Sequence, residues 1–370
     1  MRLINKILSM CEAYDFIRPV MTNNHVDFVK YGASGELLRQ NIRNEWLYSN
    51  VTSRDESVFQ TCYGMQKDRF ADLLSLKEPY TNAKLFCNSQ LPFNITDSRS
   101  QCEQKIADNT IINEESKFFN PRHYTRLKCT AFCIPEEGLQ FFYHWQRQRK
   151  IWWRKFSANP GKFSLTEIST DDTGQECTEI RAEFDWGQET IETISNVGSK
   201  FFDKLDPTDR EKFLARAGKK KLLPHIIESE TSLEKASMVF LCDGYADLPY
   251  HNERRETFRF HRKIAPYKIT FAASLSNAKK AEELRQLSVY LGLGLKKSGV
   301  STLLAPNIAK KSLETQFTDA DCLGIPYTAV LSESTLENGI MGLRSIETTL
   351  EEKIHVANLT SYVELLIKNY

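Results

Sequence analysis

The sequence has almost no net charge. Its 370 residues carry 49 Lys and Arg against 48 Asp and Glu, leaving +1 with histidine neutral. No global field therefore selects a polyanion or a membrane surface as partner, and any such binding must come from local patches. No apolar run approaches the ~20 residues that a membrane-spanning helix needs. There is no CxxC, and the seven histidines do not cluster with the nine cysteines. The odd cysteine count and irregular spacing argue against a secreted disulfide framework and for a reducing compartment. Cys129 and Cys133 lie four apart in an apolar run, where free cysteine packs as a small buried residue rather than a metal ligand. The chain also has no P-loop, no HExxH and no paired-carboxylate nuclease pattern, so the sequence implies no metal and no cofactor.

What is present is best ordered from the C-terminus. After Ala265-Pro266 come three apolar, β-prone runs at 267–273, 299–304 and 325–331, separated by helix-length segments at 278–293 and 310–323. A short hairpin and a last helix follow. Strands alternating with helices of that length predict βαβ units and a mostly parallel sheet. The span 261–370 reads as one compact α/β domain, and 1–260 as the part it is attached to. A chain of this length suggests at least two domains.

Earlier segments are more mixed. Met1 to Met10 carries Arg2 and Lys6 and no acid before Glu12, which suits either a mitochondrial presequence or the first helix of the fold. The spacing predicts a helix from Glu36 to Tyr48, with Leu37, Leu38, Ile42 and Trp46 on one face and Asn41, Arg43, Asn44 and Glu45 towards solvent. Residues 61–115 are rich in Asn, Gln, Ser and Asp and read as a short, loosely built polar insertion. Thr125 to Ile134 is strand-like. The run 139–156 interleaves basic residues with aromatics, which suits nucleic-acid binding by charge and stacking. An amphipathic helix with its tryptophans in the core and its Arg and Lys solvated suits the tryptophans better, since large aromatics mostly sit inside, and leaves the basic face open to either reading. Residues 179–184 alternate as a strand, 189–202 read as a helix, and Asp206-Pro207 starts another by capping. Lys219, Lys220 and Lys221 form an exposed basic knob after Gly218. Leu222 to Ile227 is strand-like with an irregularity at Pro224, and 233–241 is an apolar helix. A second basic run, 252–263, includes Arg254 and Arg255.

This order of parts resembles a class II aminoacyl-tRNA synthetase of the glycyl, prolyl, threonyl and histidyl group: an antiparallel catalytic domain followed by an α/β anticodon-binding domain. Phe260-His261-Arg262-Lys263-Ile264-Ala265-Pro266-Tyr267-Lys268 is similar to the glycyl-type junction between the two. Trp152-Trp153-Arg154-Lys155-Phe156-Ser157-Ala158-Asn159-Pro160 and Thr335-Leu336-Glu337-Asn338-Gly339-Ile340-Met341-Gly342-Leu343-Arg344-Ser345 resemble a narrower family, the accessory subunits of mitochondrial DNA polymerase gamma. So do Asp185-Trp186-Gly187-Gln188-Glu189-Thr190 and the stretch from Tyr31-Gly32 to Asn41. The resemblance covers about residue 31 to the C-terminus, apart from 61–115.

The resemblance implies a retained fold and lost synthetase catalysis. Motif 2 of an active enzyme has Arg-x-Glu, where this chain has Arg126-Leu127-Lys128. Motif 3 has Gly-x-Gly-x-x-Arg at a helix start, and the stretch expected to match it, 241–248, lacks the second glycine and the arginine. Without those guanidinium groups nothing evident neutralises ATP phosphates. The implied partners are the catalytic subunit of mitochondrial DNA polymerase and double-stranded primer–template DNA, in the mitochondrial matrix. The C-terminal domain would hold the catalytic subunit, through Thr335, Leu336, Glu337, Asn338, Gly339, Leu343 and Arg344, with Gly339 at positive φ. Lys219, Lys220, Lys221, Arg254 and Arg255 would meet DNA phosphates. A short polar insertion has little to bury in a dimer interface, so the expectation is a monomer pairing with one catalytic subunit. The alternatives are a divergent glycyl- or prolyl-type synthetase, separated from the first reading by the motif 3 arginine, and a tRNA-binding module.

Overall fold

The computed structural model describes residues 2–61, 69–103, 114–170, 174–250, 253–274, 280–304, 308 and 311–369. Residues 62–68 and 104–113 of the polar stretch, Asn252 of the basic run, 278–279 of the first C-terminal helix and Lys310 of the second lie outside the described residues.

The amphipathic start packs as a helix of the fold: α1 (Leu3–Ala13) buries Ile4, Ile7, Met10 and Cys11. A hairpin of β1 (Ile17–Thr22) and β2 (His25–Tyr31) leads into α2 (Ala33–Leu47). Leu38, Ile42 and Trp46 are buried along α2 as the spacing predicts. Asn41 is not at solvent: its amide donates to the carbonyls of Ile264 (3.3 Å) and Ala265 (2.8 Å), which ties α2 to the base of the C-terminal sheet.

The main sheet comprises β3 (Ser57–Thr61), β4 (Phe93–Cys102), β5 (His123–Cys133), β6 (Phe163–Leu165), β7 (Ser169–Thr170), β8 (Glu176–Phe184), β9 (Gly187–Gly198) and a later strand, His225–Ser232. Between β9 and that strand lie α6 (Pro207–Lys212), capped by the Asp206 carboxylate, and a hairpin of β10 (Ala215–Ala217) and β11 (Lys220–Leu222). His225–Ser232 is therefore β12, and the sheet order is β3-β4-β5-β12-β9-β8-β6 with β7 on β8. The pairings are antiparallel except β3 with β4.

Two expectations are corrected here. The described part of the stretch 61–115 is not a loose insertion. It supplies β4, α3 (Arg69–Ser75) and α4 (Lys77–Phe86), and its Leu73, Tyr80, Ala83, Leu91, Phe93 and Ile95 share a core with Phe132, Phe202 and Phe213. Its polarity misled because the polar residues themselves are buried: Asn94, Thr96, Asp97 and Arg99 lie inside. Residues 189–202 are not a helix, since most of them form β9. Ile191, Ile194 and Val197 fit a helical period, but Thr190, Ile191, Thr193, Ile194 and Val197 are β-branched and fit the pleated surface better.

Residues 139–156 belong to one helix, α5 (Gly138–Phe156), with Trp145, Trp152 and Trp153 in the core. Its cations are not all solvated. Arg149 is 1% exposed and grips Glu192 of β9 with Nε at 2.7 Å and Nη2 at 3.1 Å, and Trp153 Nε1 donates to the same carboxylate at 2.6 Å. After β12 come α7 (Leu233–Gly244), buried almost throughout, and a hairpin of β13 (Tyr245–Tyr250) and β14 (Glu253–Phe258).

The C-terminal sheet follows. Its elements are β15 (Ile269–Ala273), α8 (Ala281–Lys297), β16 (Thr302–Leu303), α9 (Leu313–Cys322), β17 (Tyr327–Leu331), α10 (Glu333–Asn338), β18 (Ile340–Ser345), β19 (Glu351–His355) and α11 (Leu359–Lys368). The order is β16-β15-β17-β18-β19, with β15 parallel to both neighbours and the hairpin strands antiparallel. At its base Lys268 Nζ donates to the carbonyls of Lys263 and Ala265, both at 2.7 Å. Burial pulls this lysine's pKa down to about 7.

Two predictions follow from these buried charges. Glu192→Ala leaves the Arg149 guanidinium enclosed without its counter-ion and should cost about 3–5 kcal/mol in a urea melt. His261 beside Lys268 is held at about 4, by burial first and then by the charges of Arg262, Lys155, Lys263 and Lys268. A depressed histidine favours the folded state fully only above its unfolded value of about 6.5, so stability should fall as pH drops from there towards 4. Urea melts of the wild type and His261→Gln across that window check it, because the variant should have the shallower slope.

Candidate functional site

Alternation along β5 gives the main sheet an apolar and a polar face. Leu127, Cys129, Ala131 and Cys133 enter the core. Arg126, Lys128 and Thr130 project to the other side, next to Asp97 and Arg99 of β4 and Glu228 and Glu230 of β12. Helix α3 lies over them and lowers Asp72 into the middle. The Asp72 carboxylate accepts from Arg99 (2.5 Å), Arg126 (2.9 and 3.1 Å) and Lys128 (2.7 Å). Asp97 bridges Arg99 (2.9 Å) and Arg126 (3.0 Å), and Lys128 also reaches Glu228 at 2.6 Å. The recess left beneath α3 is about 10 Å³, room for one water at most.

The electrostatics follow from this packing. Burial opposes ionisation of Asp72, but the charge of Lys128 and the hydrogen bonds and charge of Arg126 outweigh it, holding the carboxyl well below its usual range. Burial likewise opposes the charge on Lys128, and Glu228, Glu230 and Asp72 together raise its pKa above the ordinary value. The motif 2 position Arg126 thus retains its guanidinium, already engaged by the chain's own carboxylates.

The placement of motif 3 is corrected. Residues 241–248 span the end of α7 and the beginning of β13, so they cannot form a helix start. A strand feeding a helix start occurs at β12 and α7, where Ser232 Oγ caps the backbone N–H of Lys235 at 3.1 Å. The sequence there, Glu228-Ser229-Glu230-Thr231-Ser232-Leu233-Glu234-Lys235, also lacks the two glycines and the arginine. Desolvation pulls the Lys235 pKa down, against the carboxylates of Glu189, Glu103, Glu230 and Glu179. The sequence signal that could have found this junction was the Ser cap before an apolar helix.

The C-terminal candidates divide. Thr335 is 3% exposed, and its hydroxyl accepts from Ser332 N–H in the capping box of α10. Leu343 lies in the core of the C-terminal sheet. Arg344 donates to both oxygens of Asp321, at 2.8 and 3.0 Å, and is buried. Those three hold the edge in place. Glu337 and Asn338 are exposed, Leu336 is half-buried, and Ile340 is 43% exposed. Gly339 has φ +72, as expected, and a Cβ there would lie 2.5 Å from the His355 ring.

The basic candidates divide too. Lys219, Lys220 and Lys221 are exposed on the β10–β11 hairpin, which turns at Gly218 with φ +61. Arg254 is exposed and pairs with Asp247 at 2.9 Å. Arg255 turns inward and meets Asp321 at 3.2 Å, so it is a structural residue.

Known proteins match this architecture. The anticodon binding domain family matches residues 272–366. The mitochondrial DNA polymerase subunit gamma-2 of Xenopus laevis is 32% identical over 249 residues, covering 63% of this chain and 50% of the relative. That of Drosophila melanogaster is 32% identical over 255 residues, covering 65% of this chain and 66% of the relative. The chain is a homologue of the DNA polymerase gamma-2 subunits. It spans about half to two thirds of the length of these gamma-2 relatives. A glycine–tRNA ligase of Borreliella afzelii is 22% identical over 360 residues, covering 90% of this chain and 76% of the ligase. In structure, the prolyl-tRNA synthetase of Cryptosporidium parvum, solved with L-proline and AMP, overlays with a TM-score of 0.69 at 9% identity, covering 98% of this chain and 77% of that one. The gamma-2 homologue therefore has a class II synthetase-like fold.

Asp72→Ala should destabilise the chain by about 3–5 kcal/mol at neutral pH, because three cations lose a shared partner. A carboxylate with a depressed folded pKa stabilises fully above about 4 and progressively less below it. The wild-type and Asp72→Ala urea midpoints should therefore converge in acid.

Proposed function

We propose that the chain is a non-catalytic accessory subunit of mitochondrial DNA polymerase, with its two parts divided at 260/261. It binds the catalytic subunit in the mitochondrial matrix and raises DNA affinity and processivity. The observation that carries this reading is the ion network on the polar sheet face. In a synthetase-like fold, cations on that face would neutralise nucleotide phosphates. Here Arg126 and Lys128 are neutralised by Asp72, Asp97 and Glu228, and the recess left beneath α3 is only about 10 Å³. The gamma-2 relatives are named as polymerase subunits, which supports a partner rather than a substrate.

The catalytic subunit is assigned to the exposed part of the C-terminal edge: Leu336, Glu337, Asn338 and Gly339, with Ile340 beside them. Thr335, Leu343 and Arg344 act by fixing the shape of that edge. DNA phosphates are assigned to Lys219, Lys220, Lys221 and Arg254. The helices and strands of 57–102 pack into the chain's own sheet, which favours a monomer pairing with one catalytic subunit.

Primer extension by the catalytic subunit, with and without this chain, tests the reading. The expected result is longer products and tighter primer–template binding, with Glu337→Ala/Asn338→Ala reducing capture of the catalytic subunit. No gain in length or affinity would defeat it. ATP–pyrophosphate exchange above background would favour the synthetase reading instead.

A further inference from the structure

Helix α5 has no Asp or Glu in its 19 residues. Of its five Arg and Lys side chains, Arg149 is neutralised by Glu192. Arg147, Arg154 and Lys155 are exposed and Lys150 is partly so, and none of these four forms an ion pair among the described residues. Arg154 Nε donates only to a backbone carbonyl, that of Pro160, at 2.8 Å. Spacings of three and four put Tyr143, Arg147, Lys150, Ile151 and Arg154 along one side of the helix, with exposed His144 next to them.

The two ends of the helix differ in their charged neighbours. Before α5, Glu136 pairs with Lys220 of the lysine hairpin at 3.5 Å. After it, Lys155 lies in the field of Lys263, and Phe156 packs on the His261 ring at 5.1 Å. The cations run from Arg147 to Lys155, eight steps of ~1.5 Å, a row about 12 Å long. At 3.4 Å per phosphate along each strand, that is roughly three to four base pairs of duplex. The exposed Leu139 and Tyr143 adjoin near the start of the helix, and Arg147 and Lys150 separate them from Ile151; a charged centre is unlike the core of a protein–protein interface.

We propose that this face of α5, from Arg147 to Lys155, is a track for the phosphate backbone of duplex nucleic acid. The proposal deepens the accessory-subunit reading and rests on it for taking DNA as the natural duplex. The cations grip phosphates without reading bases, and the uncharged helix flank carrying Tyr143 and Ile151 seats against the sugar edge.

Fluorescence anisotropy with the full chain and a short DNA duplex, across a salt series, tests it. The triple variant Arg147→Gln/Arg154→Gln/Lys155→Gln should bind at least about tenfold more weakly, and its slope of log affinity against log salt should flatten by about 2–3. Arg147→Glu should weaken binding more than Arg147→Gln. Arg285→Gln, on the exposed side of α8, should bind as the wild type does. Unchanged melting temperatures separate loss of the track from loss of fold. An RNA duplex bound equally well supports a backbone track without a preference for DNA. No duplex binding by the wild type, or an unaltered slope in the triple variant, overturns the proposal. So does a triple variant that loses the catalytic subunit while keeping duplex affinity, because that assigns the face to a protein. If the variants lose duplex as expected but the chain never lengthens primer extension, the accessory-subunit reading fails and the track stands.

Discussion

The Asp72 carboxylate sits among Arg99, Arg126 and Lys128, and the polar face of the main sheet depends on it. Three buried cations on neighbouring strands repel one another and each has been stripped of water. Asp72, Asp97 and Glu228 alternate with them, so every cation meets at least one carboxylate at hydrogen-bond distance. Only α3 can deliver Asp72 from above the sheet, so the ion network also fixes where that short helix lies. The chain itself supplies the anions these cations meet, and the face is closed by its own charges.

A second set of polar contacts joins the two sheets. Asn41 of α2 and Lys268 of the C-terminal part both donate to the Ala265 carbonyl, so one carbonyl before Pro266 is shared by side chains from either side. Phe16 stacks its edge on Phe258 at 5.0 Å and lies 5.7 Å from Phe260, filling the space beneath. These contacts explain why the junction is cationic yet closed: the cations surround carbonyls and aromatic rings.

Much of this was legible in the sequence where one face of an element is apolar. The βαβ order of the C-terminal part, the helical period of Leu38, Ile42 and Trp46, and the burial of the α5 tryptophans all follow from periodicity. Asp206 capping and the positive φ of Gly339 follow from turn chemistry. What failed did so where polar residues are buried. Asp97 and Arg99 made β4 look like loop, and Arg149 looked solvated, because a single charge read alone carries no sign of its distant partner. Glu192 is 43 positions from Arg149, and Asp72 is 54 from Arg126. The exposed and buried members of the C-terminal edge were likewise inseparable, since Thr335 and Arg344 look as available for recognition as Glu337 until the capping box and Asp321 are seen.

Asp321 on α9 holds Arg344 of β18 on one side and Arg255 of β14 on the other. Mechanically this is a strut. A pull on the outer edge of the C-terminal sheet is passed along β18 to α9 and from there into the β13–β14 hairpin, through guanidinium–carboxylate contacts rather than a slack linker. A load arriving at Ile340 therefore has a charged path to the neighbourhood of α7, on which β14 rests.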